Sequence, residues 1–510
     1  MKKNLLKNFL SFSSLTFLSR ILGFLRDTII ARYFGASIAT DAFFVAFKIP
    51  NLLRRITAEG AFTQAFVPIT ADYKKLGRVK LHAFFNKISS LLALVLIIIT
   101  LLGIFASPWI VLVTAPGFSD DPEQFNLTVD LLRITFPYIF FISLVAMAGA
   151  ILNSFEKFAI TAFSPVLLNV SFILAAIYFK DMFENPIYVL AWAVFFGGVF
   201  QLALQIPFIK SIGWSPKIDF DIKDSGVRRV LKLMGPAILG VSVIQISLLI
   251  NTIFASFLSK GSVSWLYYAD RLMEFPAGVL GVALSTVLLP SLSKSITQIN
   301  NKKFNETLHW GLRFGFFVSV PAAIALGVLS GPLVFTLFHY GEFSLMDAEM
   351  TQKALIAYSI GLIGLIMVKV LAPAFYSQKD IKTPVKIAVA TLFVTQFMNL
   401  VLINLLQHAG LALAIGIGAC FNAFVLFLFL IKKHHFKVHS NLLIDLAKIV
   451  LASILMGIFL FFIVPQQSFW IDANMSKKIL HTSIYICAGL FFYLFTLIMI
   501  GVKLKKIVTP

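Results

Sequence analysis

Apolar runs of roughly twenty residues recur along the whole chain, and the cleanest of them, Ser89 to Ser107, contains no charge. A helix of about 20 apolar residues matches the thickness of a bilayer's hydrocarbon core. Hydrophobic residues make up 59% of the 510 and charged residues only 13%, with a mean hydropathy of +0.91, which no soluble globular chain shows. In hydrocarbon every backbone N–H and C=O must be paired inside the segment or around a closed barrel, and long apolar runs without period-2 alternation select helices. The chain is therefore read as an all-α polytopic membrane protein.

The runs and their breaks predict about fourteen transmembrane helices, near residues 9–33, 37–69, 88–113, 130–153, 159–179, 187–209, 229–258, 264–290, 311–338, 353–375, 384–406, 410–431, 443–464 and 480–502. An even number places both termini on one side, and charge tests the count loop by loop. The segments assigned to the inner side carry Lys74, Lys75, Arg78 and Lys80, then Lys210, Lys217, Arg228 and Arg229, then Lys294, Lys302 and Lys303, and further on Lys379, Lys382, Lys432 and Lys433. The opposite turns include SDDPEQF, KDMFENP and GEFSLMDAEM, which are acidic. The net charge of +20 is thereby explained by topology, with no basic domain of the kind that binds nucleic acid. The basic and then apolar N-terminus lacks a small-residue cleavage site before Arg20 and is read as a retained first span.

The stretch from Ala31, ARYFGASIATDAFFVAF followed by AFVPITADYKK, resembles the stretch from Ala255, ASFLSKGSVSWLYYADRLMEFP followed by LLPSLSKS, in its order of aromatics, intramembrane charge, proline and closing basic turn. Two six-span halves in parallel repeat follow, related by an axis along the membrane normal. The predicted divisions are residues 1–210, 211–432 and a C-terminal helix pair at 433–510.

Polar residues in the first two spans fall on stripes. Ser13, Thr16, Arg20, Gly23 and Asp27 are spaced 3, 4, 3 and 4, which keeps them on one helix face, and Arg26 adjoins them. Asp41, Lys48, Asn51 and Arg55 repeat the device in the second span, with Arg54 beside them, Glu59 a turn later and Pro50 as an expected kink. Charges at the bilayer centre cost at least ~2.5 kcal/mol each, so they face a bundle interior or a watery cavity. One reading is purely structural, with Arg20 paired to Asp27 and Asp41 to Lys48 or Arg55. Another is snorkelling at span ends. A third is an anion-binding cavity, because Arg20, Arg26, Lys48, Arg54 and Arg55 outnumber Asp27, Asp41 and Glu59 by two. Asp270, Arg271 and Glu274 form a further cluster in the eighth span, and Lys369 stands alone in GLIGLIMVKVLAP. A planar guanidinium suits phosphate through bidentate hydrogen bonds, so the expected ligand is a phosphate or pyrophosphate. Gly23, Gly35 and Ala36 are expected to let backbones approach or bend.

Enzyme signatures are missing: there is no phosphate-cradling Gly-rich loop, no HExxH and no GxSxG. Asp41 and Glu59 are the only carboxylates that tempt a reading as an integral-membrane glycosyltransferase or polymerase. Cys420 and Cys487 lie in apolar runs and read as packing thiols. His434, His435 and His439 read as a solvated turn rather than a metal site. Without an ATPase domain, any transport is driven by gradients or by membrane potential.

The strings SRILGFLRDTIIARYFGASIATDAFFVAFKIPNLLRR, AEGAFTQAFVP, GPAILGVSVIQISLLINTIFASFL, SVSWLYYADRLMEFPAGVLGVALSTVLLPSLSKS and DIKTPVKIAVA closely resemble the MurJ (MviN) family of lipid II flippases, over nearly the whole chain. The resemblance implies a bacterial inner-membrane transporter of the multidrug/oligosaccharidyl-lipid/polysaccharide exporter superfamily, with two six-helix lobes around a central cationic cavity. The last two helices would form a groove for the polyprenyl tail. The implied partner is lipid II, the undecaprenyl-pyrophosphate-linked peptidoglycan precursor, moved from the cytoplasmic to the periplasmic leaflet of the phospholipid bilayer. By motif, the family's functional arginines fall on Arg20, Arg26, Arg54, Arg55 and Arg271, and its important acidic residue on Asp41. Gly23, Asp27, Lys48, Glu59, Asp270, Glu274 and Lys369 fall where gating or cavity lining is implied. Thr57 replaces an expected bulky apolar residue. No cofactor is implied, a coupling cation is left unassigned, and contact with other cell-wall synthesis proteins is a further expectation. A flippase for another polyprenyl-linked oligosaccharide shares the same cavity logic.

Overall fold

The computed structural model describes residues 2–55, 62–298, 301–434, 436, 439–503 and 507. Among the described residues there is no strand. The helices are α1 (Lys2–Phe34), α2 (Ile38–Arg54), α3 (Thr63–Lys75), α4 (Arg78–Phe105), α5 (Ser107–Thr114), α6 (Pro122–Thr135), α7 (Tyr138–Ser154), α8 (Phe158–Tyr178), α9 (Tyr188–Ser211) and α10 (Ser225–Ser256). They continue as α11 (Ser262–Thr297), α12 (Asn301–Val328), α13 (Ser330–Leu337), α14 (Leu345–Ser377), α15 (Lys382–His434), α16 (Ser440–Ile463), α17 (Gln467–Asp472) and α18 (Met475–Met499).

Among the described residues the predicted segments lie on helices, three of them (88–113, 130–153 and 311–338) crossing a short break between two helices. Ten helices among the described residues are long and apolar enough to cross a membrane, including one of 52 residues at Lys382–Lys433. That long helix holds two predicted spans, broken at Gln407, whose φ of 49° and ψ of −128° are not helical. The predicted spans outside those ten belong to α1, α2 with α3, and α10, and the first two of these carry the charged stripes.

The chain divides into two compact units, Met1–Val263 and Ser264–Pro510. The first reaches past the predicted division at residue 210, because α10 packs on α3, α4 and α5. In this unit α1 lies against α8, α8 against α9, and α2 against α6. Its aromatic core stacks Phe62, Phe66 and Phe84, with Phe85 tilted against them and Trp214 edge-on to Phe85 at 5.3 Å. In the second unit α14 packs on α15 and on α12, and α16 and α18 pack together and against α12 through Val320, Ile449, Leu460, Tyr493 and Leu497. Small residues set the α14–α15 approach: a Cβ on Gly361 would come within 2.4 Å of the Gly416 Cα.

Prolines in apolar helices create a polar debt that neighbouring side chains discharge. A proline cannot donate to the carbonyl four residues before it, and in lipid that carbonyl needs another donor. Pro50 lies inside α2, and the Ala46 carbonyl it releases accepts from the Thr135 hydroxyl of α6 at 3.3 Å. Pro321 lies inside α12, and the Phe317 carbonyl accepts from the Tyr493 hydroxyl of α18 at 2.9 Å.

Candidate functional site

On α1 the stripe resolves into a buried charge network and an exposed cation. The Arg26 guanidinium donates from Nε and Nη2 to Asp27 Oδ1, at 2.9 and 2.7 Å, and from Nη1 to Asn169 Oδ1 of α8 at 3.1 Å. It also lies over the Phe172 ring, 5.2 Å from the centroid. Asn169 Nδ2 in turn donates to the Ser19 carbonyl at 3.0 Å. Arg26 is 8% exposed and Asp27 2%. The expected pairing of Arg20 with Asp27 is thus replaced by pairing with Arg26. Arg20 lies seven residues, about two turns, from Asp27, whereas the neighbouring long side chain folds back within reach. Arg20 itself is exposed, with no side-chain partner among the described residues. Asn169 was invisible to motif reasoning. Its signal is an amide in the apolar run SPVLLNVSF, where a polar side chain in lipid needs a partner.

Gly23 faces Asn169, but a Cβ there would meet its Nδ2 at 3.5 Å, an ordinary contact. The α1–α8 approach therefore does not itself demand glycine. Gly35 does carry a conformational role: its φ of 63° turns the chain after α1, and Ser37 then caps α2.

Asp41, buried in the first turn of α2, accepts a hydrogen bond from the Gly261 amide at 2.7 Å. This backbone donor comes from far along the chain, which intrahelical spacing does not consider. Around it, Lys260 Nζ reaches Asp121 Oδ2 at 2.8 Å, and the Gly117 amide donates to Ser256 Oγ at 3.1 Å. No side chain fits at Gly117, where a Cβ would come within 2.3 Å of the Ser256 carbonyl oxygen. The Lys260 hydrogen bond holds the Asp121 carboxyl below its usual range.

Lower on α2, Lys48 lines a pocket with Val45, Ile49, Leu52, Thr114, Leu249 and Thr252. Arg54 donates from Nε and Nη2 to Asn51 Oδ1, at 2.9 and 2.7 Å, a neutral partner. Arg55 is half-buried where α2 ends. Glu59 and Thr57 lie outside the described residues.

In the second unit the charges gather on α11. Arg271 Nη1 pairs with Glu274 Oε2 at 2.7 Å, and its guanidinium lies 4.8 Å from the centroid of the Tyr267 ring. Asp270 is half-buried beside them. From α14, Lys369 Nζ donates to the Ala277 carbonyl at 3.0 Å. Its stem runs over Gly281, where a Cβ would come within 2.5 Å of Lys369 Cδ. Lys369, deep in the apolar part of α14, thereby joins the charges of α11, and Gly281, which spacing did not single out, is what admits it. Among the described residues no group of three or more His, Cys, Asp or Glu is placed to hold a metal ion.

Buried, hydrogen-bonded guanidinium groups on apolar helices can present fixed N–H donors to phosphate. The family assignment rests on comparison. A sequence model described as lipid II flippase MurJ matches residues 30–480. This chain belongs to the MurJ family. A lipid II flippase MurJ of Burkholderia cenocepacia is 49% identical over 435 residues, covering 84% of each chain. A probable lipid II flippase MurJ of Buchnera aphidicola is 44% identical over 502 residues, covering 98% of each. Among solved structures, lipid II flippase MurJ in an inward closed conformation superposes with a TM-score of 0.78 at 27% identity, covering 95% of this chain and 97% of that one. An inward-facing multidrug resistance transporter of the MATE family, in the MOP superfamily, matches with a TM-score of 0.67 at 16% identity, covering 85% and 98%. That likeness concerns the fold. The chain is a multi-pass membrane protein of the MurJ family.

Proposed function

We infer that this protein is a flippase that moves lipid II across the bacterial inner membrane, from the cytoplasmic to the periplasmic leaflet, with both termini cytoplasmic. The observation that carries the reading is the arginine-bearing face of α1 in a MurJ-family chain: Arg26 is locked by Asp27 and Asn169, and Arg20 is exposed beside it. A pyrophosphate on a lipid tail is the ligand whose charge and geometry such a face suits.

In this reading Arg20 and Arg26 supply the phosphate donors of the first unit and Arg271 that of the second, while Arg54 and Arg55 meet the substrate near the cytoplasmic entrance. Asp41 acts on the periplasmic side, where its hydrogen bond to the Gly261 amide ties α2 to the turn after α10. The protein works by alternating access. Moving a charge through an inside-negative potential yields ~2.3 kcal/mol per 100 mV, so two uncompensated negative charges moving outward gain ~4 to 5 kcal/mol. Membrane potential alone then supplies a strong bias.

The test is lipid II translocation by purified protein in vesicles, with Arg20→Lys and Arg271→Lys alongside the native chain. Lysine keeps the charge and loses the bidentate fork, so both variants should translocate more slowly. Full activity in both would remove the arginines from substrate binding. Equal competition by another polyprenyl-linked oligosaccharide would shift the substrate assignment and leave the flippase reading in place.

A further inference from the structure

Between α9 and α10 the chain runs for several residues without helix, and its side chains alternate. Trp214 is buried and donates from Nε1 to Asn86 Oδ1 of α4 at 2.8 Å. The Lys217 amide donates to the same Oδ1 at 3.1 Å. Ser90 Oγ, one turn further along α4, donates to the Lys217 carbonyl at 3.3 Å and accepts from the Asp219 amide at 2.9 Å. Lys87 Nζ then binds Asp221 Oδ2 at 2.9 Å and Asp224 Oδ2 at 3.1 Å. Residues 214–224 are thus stapled along α4 through Asn86, Lys87 and Ser90.

An extended segment held on one side turns every second side chain to the other. Ile218, Phe220 and Ile222 are 84%, 58% and 57% exposed. These large apolar side chains belong to no spanning helix, so the lipid-facing role that explains exposed apolar residues on α4 or α15 does not account for them. The staple also fixes their depth. Asn86 and Lys87 are the last strongly polar residues before the charge-free run that starts at Ser89, so the segment lies where α4 enters hydrocarbon. Exposed cations flank the row: Lys210, Lys217, Lys223, Arg228 and Lys232. Of the three aspartates in the strap, Asp221 and Asp224 are bound to Lys87, and the half-buried Asp219 is outnumbered by the exposed cations.

We propose that residues 214–224 form an interfacial anchor, in which Ile218, Phe220 and Ile222 enter the acyl boundary of the adjoining leaflet and the flanking lysines and arginines bind anionic phospholipid headgroups. Apolar insertion combined with a basic rim is the pattern by which peripheral segments hold to anionic membranes. A fluid bilayer needs no shape complementarity from a row of three side chains on an extended strap. The rigid part of the device faces α4, and the outward part is presented to lipid.

The experiment uses full-length protein with Cys420→Ala and Cys487→Ala, in nanodiscs of phosphatidylcholine with or without phosphatidylglycerol. An environment-sensitive fluorophore on Phe220→Cys should emit blue-shifted and be quenched by lipids brominated on the acyl chains, while the same probe on Lys223→Cys, at headgroup level, should be quenched far less. A water-like, unquenched probe at 220 would overturn the proposal. So would shielding seen in native membrane vesicles and absent from lipid-only discs, since that marks a protein occupant. As an independent readout, phosphatidylglycerol should raise the thermal stability of the native chain, and the Ile218→Ser/Phe220→Ser/Ile222→Ser variant should lose most of that gain at unchanged stability in detergent. An undiminished gain would sink the anchor.

Discussion

Arg26 of α1 and Asn169 of α8 are joined across two apolar helices by a 3.1 Å hydrogen bond, and the same amide returns a hydrogen bond to the Ser19 carbonyl of α1. Asn169 therefore fixes both the guanidinium and the helix that bears it. Asn169→Leu leaves a buried charged donor short of one partner, at a cost of about 1–3 kcal/mol, and should lower the thermal unfolding temperature in detergent along with lipid II translocation. Asn169→Asp separates the two effects. It adds a second carboxylate to Arg26 in exchange for the amide's hydrogen bond to the Ser19 carbonyl, so the new ion pair should offset the lost donor and the fold hold, while translocation falls because the cation is then neutralised from both sides. Undiminished translocation by Asn169→Asp would show that the positive charge of Arg26 is not used on the substrate.

The proline-released carbonyls make a second prediction. Tyr493 donates to the Phe317 carbonyl freed by Pro321, in a helix surrounded by apolar side chains. Tyr493→Phe preserves the ring's packing and removes only the donor, so its cost is that of one buried unsatisfied carbonyl, about 1–3 kcal/mol. Thermal unfolding of the variant should report that loss, and adding Pro321→Ala should recover most of it, since the helix then satisfies its own carbonyl. A double variant no more stable than Tyr493→Phe would refute the coupling.

What the sequence makes legible follows from what periodicity encodes. The spans, the charged faces of α1 and α2 and the interruption near residue 407 all arise from local composition, which a helix of fixed pitch converts directly into faces. Partner choice is different. Asp41 and Gly261 are 220 residues apart and Arg26 and Asn169 are 143 apart, and only tertiary packing brings such pairs together. Intrahelical spacing weighs only partners on the same helix, which is why it pairs Arg20 with Asp27 and leaves out Asn169 and the Gly261 amide. Lys369 was legible as an intramembrane charge, but the glycine that accommodates it was not, because a missing Cβ matters only where another helix crosses.

Acid sensitivity should concentrate at the turn between α14 and α15. Asp380 caps α15 through the Thr383 amide at 3.1 Å and hydroxyl at 2.7 Å, and Lys433, from the far end of the same helical hairpin, binds it at 2.6 Å. Burial alone would raise its pKa, but the hydrogen bonds from Lys433 and Thr383 prevail and bring it down to about 2. An aspartate held below its unfolded value contributes stability that is complete above about 3.9 and is lost as pH falls through its folded value of about 2. Thermal unfolding of the native chain should therefore weaken between those limits, and Asp380→Asn should flatten that part of the profile while lowering stability at neutral pH. An acid limb identical in the two proteins would place the sensitivity elsewhere.

Gly281 and Lys369 supply the last prediction. A methyl group on Gly281 would occupy the path of the lysine stem, 2.5 Å from Cδ, so Gly281→Ala must push Lys369 off α11 and break its hydrogen bond to the Ala277 carbonyl. Alanine is otherwise the better helix former, by about 1 kcal/mol, so the local helix gains what the contact loses and overall stability should change little. Translocation should fall if the ammonium is needed at that place on α11. Lys369→Met tests the same point from the other side: it keeps the apolar stem and deletes the charge. Combined with Gly281→Ala it should add no further loss of activity, because the first change has already removed the group the second displaces. Additive losses in the double variant would mean that the two residues act separately, and the reading of Gly281 as the seat of Lys369 would fail.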